Sequence, residues 1–466
     1  MTVVESLPEL TDVEVAGTGW HRRVPDLAVV TTLLWWATYL TWGTGGREPH
    51  RLSVAAGLLL LALLTTRPWE VLPPRAYALL TLIGVAAFGV ALTAPTGWHG
   101  ADDAATYACV GQLAAVVLAW SQTRGHRLVL VAIVVVAGGL QFGSGWLAWW
   151  GGQDLTRPFV GTFYWHNQAA IFLAAAALVG CGAVLSGVEG LSMLGWVITP
   201  LCACGVVVTT SRASQIALAA GLVLLLVAAL LAPGRRRQPV LRLGALVGLC
   251  VATTLLLTSR LMFPGAAQSG LGAVTAATAA RGRRESFSGN GAQRFEDWRR
   301  AWKIFVHWPL SGAGFHSFNS AAGVATTRRD GVRTAFAHNG FLQVLSDGGL
   351  LLAAPVLMAL VGAAWWTVRS VRRQWRRGDL LALSCGTALL VLALHSGMDF
   401  DWSYVSLLAM FVLVLALVAE LPPERVARRD GWTRAVVGVG VCLLVLSAIS
   451  AWHGGLSLNV PIGGVA

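Results

Sequence analysis

A histidine and three arginines stand in short polar stretches between long apolar runs. His338 lies in AHNGFLQ, Arg212 in TTSRAS, Arg294 in RFEDWRR and Arg157 in RPFVGTFYWHN. An imidazole can accept a proton near neutral pH, and a guanidinium fork matches the oxygens of a phosphate. These types suit the transfer of a sugar from a lipid diphosphate to a hydroxyl, with a histidine base and arginines replacing a metal ion at the leaving group.

Each of these residues also has a simpler interpretation. A single arginine at the end of a membrane span usually extends to the lipid headgroups. A histidine at a helix start is often only a hydrogen-bonded edge residue, and Asp399 and Asp401 in HSGMDFDW could be solvated loop acids. The functional hypothesis therefore depends on whether these side chains share one face of the molecule.

The composition is that of a membrane protein. Of 466 residues, 56% are hydrophobic and only 12% are charged, whereas soluble domains carry about a quarter charged residues. Apolar runs near the roughly 20 residues that cross a bilayer recur along the chain, and lipid-embedded backbone must pair internally, which predicts helices. We expect an all-α polytopic membrane protein, a bundle of about 12–13 transmembrane helices. The predicted spans are 27–42, 52–66, 76–94, 104–120, 128–145, 168–186, 193–210, 213–232, 240–258, 341–366, 379–397, 403–420 and 435–452.

The net charge of +12 comes from basic clusters in short connections, at 235–242, 369–377 and 424–434. This arrangement is typical of the positive-inside pattern of membrane proteins, and nucleic-acid binding is not expected. With the N-terminus inside, these clusters face the cytoplasm of a bacterium. The histidine and arginine motifs then lie on the extracytoplasmic side of its cytoplasmic (inner) membrane.

The segment 259–340 is the only large predicted connection, which divides the chain into an N-terminal bundle (1–258), an extracytoplasmic loop (259–340) and C-terminal helices (341–466). In RFEDWRRAWKIFVHWP, aromatic and charged residues recur at helical spacing on two faces. We interpret this as an amphipathic helix on the outer membrane surface, ended by Pro309. The aromatic face has Phe295, Trp298, Trp302 and Phe305, and the charged face has Arg294, Asp297, Arg300 and Lys303.

Several motifs in this order resemble those of one family. They are RPFVGTFYWHNQAAIF, TTSRAS, RFEDWRRAWKIFVHWPLSGAGFHSF and AHNGFLQVLSDGGLL, with a weaker match in HSGMDFDW. Over residues 150–420 the chain resembles the O-antigen ligase and O-antigen polymerase superfamily of membrane glycosyltransferases. The resemblance implies about a dozen spans, a large extracytoplasmic loop, and transfer of an undecaprenyl-diphosphate-linked glycan to an acceptor hydroxyl without ATP or metal.

Particular residues take roles from this resemblance. His338 matches the candidate catalytic base, while Arg212 and Arg294 match essential arginines that resemble diphosphate ligands. Arg157 matches a further arginine of the same kind. Supporting, substrate-binding roles fall to Asn167, Asn339 and Asp399. His166 and His316 depart from the usual family residues, and neither is expected to act as a base.

The expected partners are a lipid-linked glycan donor, a glycan, lipid or protein acceptor, and membrane lipids, with no cofactor and no metal. Whether the chain is a ligase or a polymerase stays open, because the motifs are shared and only the acceptor differs. A transporter or flippase of lipid-linked glycans is one alternative, although it would place ionisable residues within the spans. A metal-dependent membrane glycosyltransferase using Asp102 and Asp103 is another.

Overall fold

The computed structural model describes residues 20–38, 49–95, 100–152, 158–231, 237–259, 262, 272, 276, 287–325, 335–420 and 431–457. Within these ranges, one long helix corresponds to each predicted span, and no strand is present. The expectation of an all-α polytopic membrane protein is confirmed. In the described part of the chain, ten helices are long and apolar enough to cross a membrane, and Val24–Ala37, Leu380–Ser396 and Val405–Val418 are shorter apolar helices. The helices are α1 (Trp20–Ala37), α2 (Pro49–Thr66), α3 (Pro74–Thr93), α4 (Ala101–Trp120), α5 (Arg124–Gly151), α6 (His166–Ser186), α7 (Glu189–Val208), α8 (Arg212–Leu231), α9 (Arg237–Leu257), α10 (Phe287–His307), α11 (Phe318–Ala325), α12 (Gly340–Arg376), α13 (Leu380–Ser396), α14 (Val405–Val418) and α15 (Gly431–Ser457).

Helix α6 forms the centre of the bundle. In its most apolar stretch 89% of the residues are buried, whereas the corresponding figure for α9 is 17%. Its sequence, HNQAAIFLAAAALVGCGAVLS, is rich in alanine and glycine. Small residues let helix backbones approach closely in a membrane bundle, where packing and hydrogen bonds drive association. The close contact with α13 is visible in the hydrogen bond from Ser384 Oγ to the Leu178 carbonyl, at 2.5 Å. This packing fixes the start of α6 relative to the end of α13.

Helix α12 is broken near its start, where the sequence predicted a continuous span. Gly349 has φ 54° and ψ −155°, a conformation essentially restricted to glycine. Beyond the break, the amides of Leu350 and Leu351 donate to the carbonyls of Pro309 and Leu310, at 2.8 and 2.9 Å. The loop before α11 therefore satisfies backbone groups that the helix leaves unpaired, as a membrane-embedded break requires.

Helix α10 confirms the helical pattern of its sequence but not the environment expected of its charged face. Phe295 and Trp302 are exposed, as an interfacial aromatic face would be, yet Asp297 is fully buried and Arg300 nearly so. The same side of the helix carries Ala301, which packs in a small core with Ala313, Phe318, Ala321 and Ala337. This side of α10 therefore meets protein rather than water. Residues 263–271 and most of 273–286 lie outside the described residues, and the three-part division of the chain stays a prediction.

The bundle has two chemically distinct ends. At the end we call the basic end, Arg127 and Arg373 lie 3.8 and 3.6 Å from the carboxylate of Glu420. The other end, here the site end, carries the start of α6, the end of α13 and the start of α12. Among the described residues, the 369–377 cluster adjoins the first end, as does Arg242, which donates to the Val184 carbonyl near the end of α6. The candidate site residues that the structure describes lie at the second.

Candidate functional site

Asp399, in the loop between α13 and α14, is the point where the predicted site residues meet. Its carboxylate is 1% exposed and lies 3.3 Å from His338 Nδ1. The other carboxylate oxygen accepts a hydrogen bond from Asn167 Nδ2 at 2.8 Å and lies 3.6 Å from an Arg294 guanidinium nitrogen. The backbone amide of Phe400 completes the set at 2.9 Å. Three chain segments far apart in sequence therefore converge on one buried carboxylate.

The charge of Asp399 is set by opposing effects. Burial raises its pKa, but the hydrogen bond with His338 and the nearby positive charges of His395, His338 and Arg294 lower it more. The net result is a pKa below the ordinary value for aspartate. Asp399 is therefore a carboxylate at neutral pH and can accept a hydrogen bond from a protonated ring nitrogen of His338.

His338 is held in an unusual backbone conformation directly before α12. Its φ is 49°, which histidine tolerates better than most side chains. Its carbonyl accepts the indole N–H of Trp298 at 3.1 Å, and its ring meets Phe400 edge-on at 5.1 Å. Nδ1 faces Asp399, and no hydrogen bond to Nε2 is found among the described residues. The His338 side chain is 25% exposed.

Asn339 has a structural task beside the histidine. Its side-chain oxygen accepts the amide of Leu342 at 3.0 Å, which caps the start of α12. Its side-chain nitrogen donates to the Gly397 carbonyl at 2.8 Å. One side chain thus joins the helix that follows His338 to the loop that carries Asp399.

The remaining predicted arginines are placed differently. Arg294, 28% exposed in α10, touches Asp399 with one guanidinium nitrogen. Arg212 begins α8 at the same end of the bundle and is exposed. No ion pair or hydrogen bond joins it to His338, Asp399 or Arg294 in the described part of the chain. Arg157 lies outside the described residues.

A second histidine–aspartate pair lies beneath the first, and sequence reasoning did not assign it a role. His395 Nδ1 lies 2.7 Å from Asp401, and both side chains are buried. His395 Nε2 is 3.3 Å from the hydroxyl of Ser214 in α8, and the His395 carbonyl accepts the amide of Asp399 at 3.0 Å. This pair holds the loop that presents Asp399. The spacing of the three residues in HSGMDFDW was the available signal.

Asp102 and Asp103, the alternative metal-binding pair, lie at the start of α4 beside His316. His316 Nε2 is 2.7 Å from Asp103 and 3.8 Å from Asp102, and the three ligand atoms lie within 4.8 Å of one another. Such a set could offer three ligands to a divalent cation. The charge of Asp103, with hydrogen bonds to both carboxylates, raises the pKa of His316 to about 11. In this arrangement His316 and Asp103 form an ion pair, and a metal would have to displace the proton of the imidazolium.

Comparison with known proteins supports one family. Residues 197–357 match the family model described as O-antigen ligase. This match, over about a third of the chain, supports the resemblance to the O-antigen ligase and O-antigen polymerase superfamily given by the motifs. It supports membrane glycosyl transfer in surface polysaccharide assembly. A search of curated proteins found no match.

The matched segment includes Arg212, Arg294, His338 and Asn339 but not Asn167 or Asp399. Of the two residues outside it, Asp399 contacts both His338 and Arg294, and Asn167 donates to Asp399. The geometry therefore extends the candidate site beyond the segment that the family model covers.

Proposed function

We propose that this chain transfers a glycan from a polyprenyl-diphosphate carrier to an acceptor hydroxyl, with His338 as general base. The observation that supports the proposal most is the contact between His338 and the buried carboxylate of Asp399, beside Arg294. A histidine whose one nitrogen is fixed by a carboxylate keeps the other free to accept a proton, as in hydrolase triads. The O-antigen ligase match supplies the reaction class.

In the proposed reaction, His338 donates its Nδ1 proton in a hydrogen bond to Asp399 and presents the lone pair of Nε2. Nε2 takes the proton of the acceptor hydroxyl as the hydroxyl oxygen bonds to the anomeric carbon of the donor sugar. The bond from that carbon to the diphosphate oxygen breaks, and the electron pair leaves with the diphosphate. Asp399 stabilises the imidazolium that forms, and the proton then passes to water.

Arginines neutralise the departing diphosphate in this proposal. Arg294 is adjacent to the proposed base, and its other guanidinium nitrogens make no hydrogen bond to the described residues, so they can turn to a phosphate oxygen. Arg212 and Arg157 serve the same purpose, and Asn167 and Asn339 position Asp399 and the start of α12. A guanidinium keeps its charge at every physiological pH and binds phosphate with two parallel hydrogen bonds. No metal or nucleotide is needed.

We further propose that the site end faces away from the cytoplasm in the bacterial inner membrane. The described basic residues Arg127, Arg242 and Arg373 belong to the opposite end, where the positive-inside rule places the cytoplasm. A lipid-linked glycan on the outer leaflet would then present its diphosphate at the depth of His338. The acceptor, and so the choice between ligase and polymerase, is the part that an assay must decide.

The test is incubation of the purified protein with a lipid-diphosphate-linked oligosaccharide and candidate acceptors, in the presence of a chelator and without nucleotide. We expect product from the wild-type protein and a loss of about 10²–10⁴-fold in rate for His338→Asn, the usual worth of a general base. Asparagine tolerates the positive φ at this position, so the backbone is preserved. His338→Ala should behave alike, with membrane insertion intact.

The matched control is Asp102→Ala/Asp103→Ala, which removes carboxylates at the same end of the bundle and should keep activity. Product of normal amount and length from the His338→Asn protein would contradict the proposed base. Loss of activity with the chelator or in the double aspartate variant would support the metal-dependent alternative.

A further inference from the structure

A cavity of about 530 Å³ lies at the basic end of the bundle, opposite the candidate site. It is formed where three turns come together, those joining α4 to α5, α6 to α7 and α12 to α13. Its charged lining residues, which include the exposed Arg124, Arg377 and Asp379, form what we call the rim. Apolar side chains also line it, among them Leu128, Val131, Leu185, Leu381 and Leu417.

Among the charged groups of the rim, the acidic ones already have partners, whereas two arginines do not pair with a described carboxylate. Arg127 is engaged, since its Nε donates to the Ser121 carbonyl at 2.9 Å and its guanidinium lies 3.8 Å from Glu420. Asp379 is also engaged, because its side chain accepts two backbone amides at the start of α13. Arg124 and Arg377 are exposed and make no ion pair with the described residues. Two guanidinium forks therefore border the cavity without a carboxylate partner.

We propose that this cavity binds the phosphate headgroup of an anionic diacyl phospholipid. Arg124 and Arg377 contact the phosphate, and the leucine-lined wall contacts the first methylene groups of the acyl chains. Basic pockets between transmembrane helices at the cytoplasmic side are suited to anionic lipid headgroups. The apolar wall favours a lipid over free phosphate, because a free ion would gain nothing from it. This proposal rests on the proposed orientation of the bundle but not on the proposed reaction.

The position of the cavity relates it to the helices of the candidate site. Arg377 and Asp379 form the turn between α12, which begins next to His338, and α13, which ends at the loop of Asp399. A bound headgroup would therefore lie on the connection between the two helices that carry the proposed base and its carboxylate.

The experiment is native mass spectrometry of the full-length protein in neutral detergent with phosphatidylglycerol or phosphatidylcholine added. We expect phosphatidylglycerol to bind more tightly, and Arg124→Gln/Arg377→Gln to weaken its binding about thirtyfold, from the usual worth of a basic residue near an anionic lipid. The control is Arg369→Gln/Arg372→Gln, which removes the same charge from exposed positions of α12 outside the cavity and should leave binding unchanged. If the double cavity variant does not fold, each single variant should weaken binding about fivefold.

Three results would overturn the proposal. Equal binding of the two lipids would show that anionic charge is not recognised. An equal loss of phosphatidylglycerol binding in the cavity and control variants would show that the lipid is attracted by the overall positive charge of the surface rather than by this cavity. Displacement of phosphatidylglycerol by inorganic phosphate at equal concentration and matched ionic strength would show a phosphate site rather than a lipid site.

Discussion

Replacing Asp399 with asparagine tests the proposed base through its partner, because the shape of the side chain is kept and its charge is lost. One carboxylate oxygen accepts from Asn167 and faces Arg294, and the other accepts from the Phe400 amide and faces His338. A carboxamide has a single acceptor oxygen, so one of these pairs of donors must face an NH₂ group. With the NH₂ toward His338, the imidazole must carry its proton on Nε2 and cannot act as base there.

The expected loss follows from these contacts. In either orientation the variant has no negative charge to stabilise the imidazolium, and in one it holds the wrong tautomer. We expect a fall in the transfer rate of about 10²–10⁴-fold, equivalent to about 3–5 kcal/mol in the activation free energy. The buried donors that lose an acceptor should also lower the free energy of unfolding by about 1–3 kcal/mol.

The assay is the initial rate of glycan transfer at saturating donor, with thermal unfolding measured on the same preparation. Asp102→Asn is the matched control, since it makes the same chemical change at the same end of the bundle on a carboxylate that contacts His316. Its rate should equal that of the wild-type protein. A folded Asp399→Asn protein that transfers glycan at the wild-type rate would refute the pairing of this carboxylate with a catalytic histidine.

The other predictions concern charge geometry, backbone and pH. Arg294→Lys and Arg212→Lys should each lower the transfer rate although the charge is kept, because an ammonium lacks the planar fork; unimpaired kinetics would contradict a role in diphosphate binding. Gly349→Ala should lower the free energy of unfolding by at least about 2 kcal/mol, because its Cβ would lie 2.5 Å from the Gly312 amide nitrogen and the Leu310 carbonyl oxygen. Gly362→Ala is the control, since open space surrounds that position and the change should not destabilise α12. Equal effects of the two substitutions on the melting temperature would contradict the helix break at Gly349. His316→Gln should lower the melting temperature by a small amount, because a partly exposed ion pair is worth about 0–1 kcal/mol. The pKa of His316 is raised in the folded state, so this stabilisation is complete below pH about 6.5 and declines as the pH rises toward about 11; a difference that grows with pH in thermal scans would be inconsistent with it.

Hydropathy predicted the architecture because apolar length is a local property. Each of the thirteen spans is bounded by polar residues within the chain itself, and the structure places a helix at each one. The break at Gly349 was missed for the same reason. Averaging over a window conceals two glycines within an apolar run, and the carbonyls that replace the lost helix contacts come from residues 309 and 310.

The sequence predicted which residues belong to the candidate site but not which of them contact one another. Asp399 and Asp401 are alike in sequence, and only the fold shows that the first contacts His338 and the second His395. The burial of Asp297 and Arg300 in α10 was not predicted, because a helical repeat shows only which residues share a face. It does not show whether that face meets water or another part of the chain.

The glycine break in α12 has a mechanical consequence for the histidine that precedes this helix. The amides of Ala313 and Gly314 donate to the carbonyls of Ser346 and Asp347, at 2.8 and 2.9 Å, so the opening turns of α12 are fastened to the 309–314 loop as well as to Gly397. On the far side of the break, the amides of Leu350 and Leu351 donate to Pro309 and Leu310 of the same loop. One loop therefore holds both sides of the break, which resists bending at Gly349 and keeps the first turns of α12, next to His338, in place.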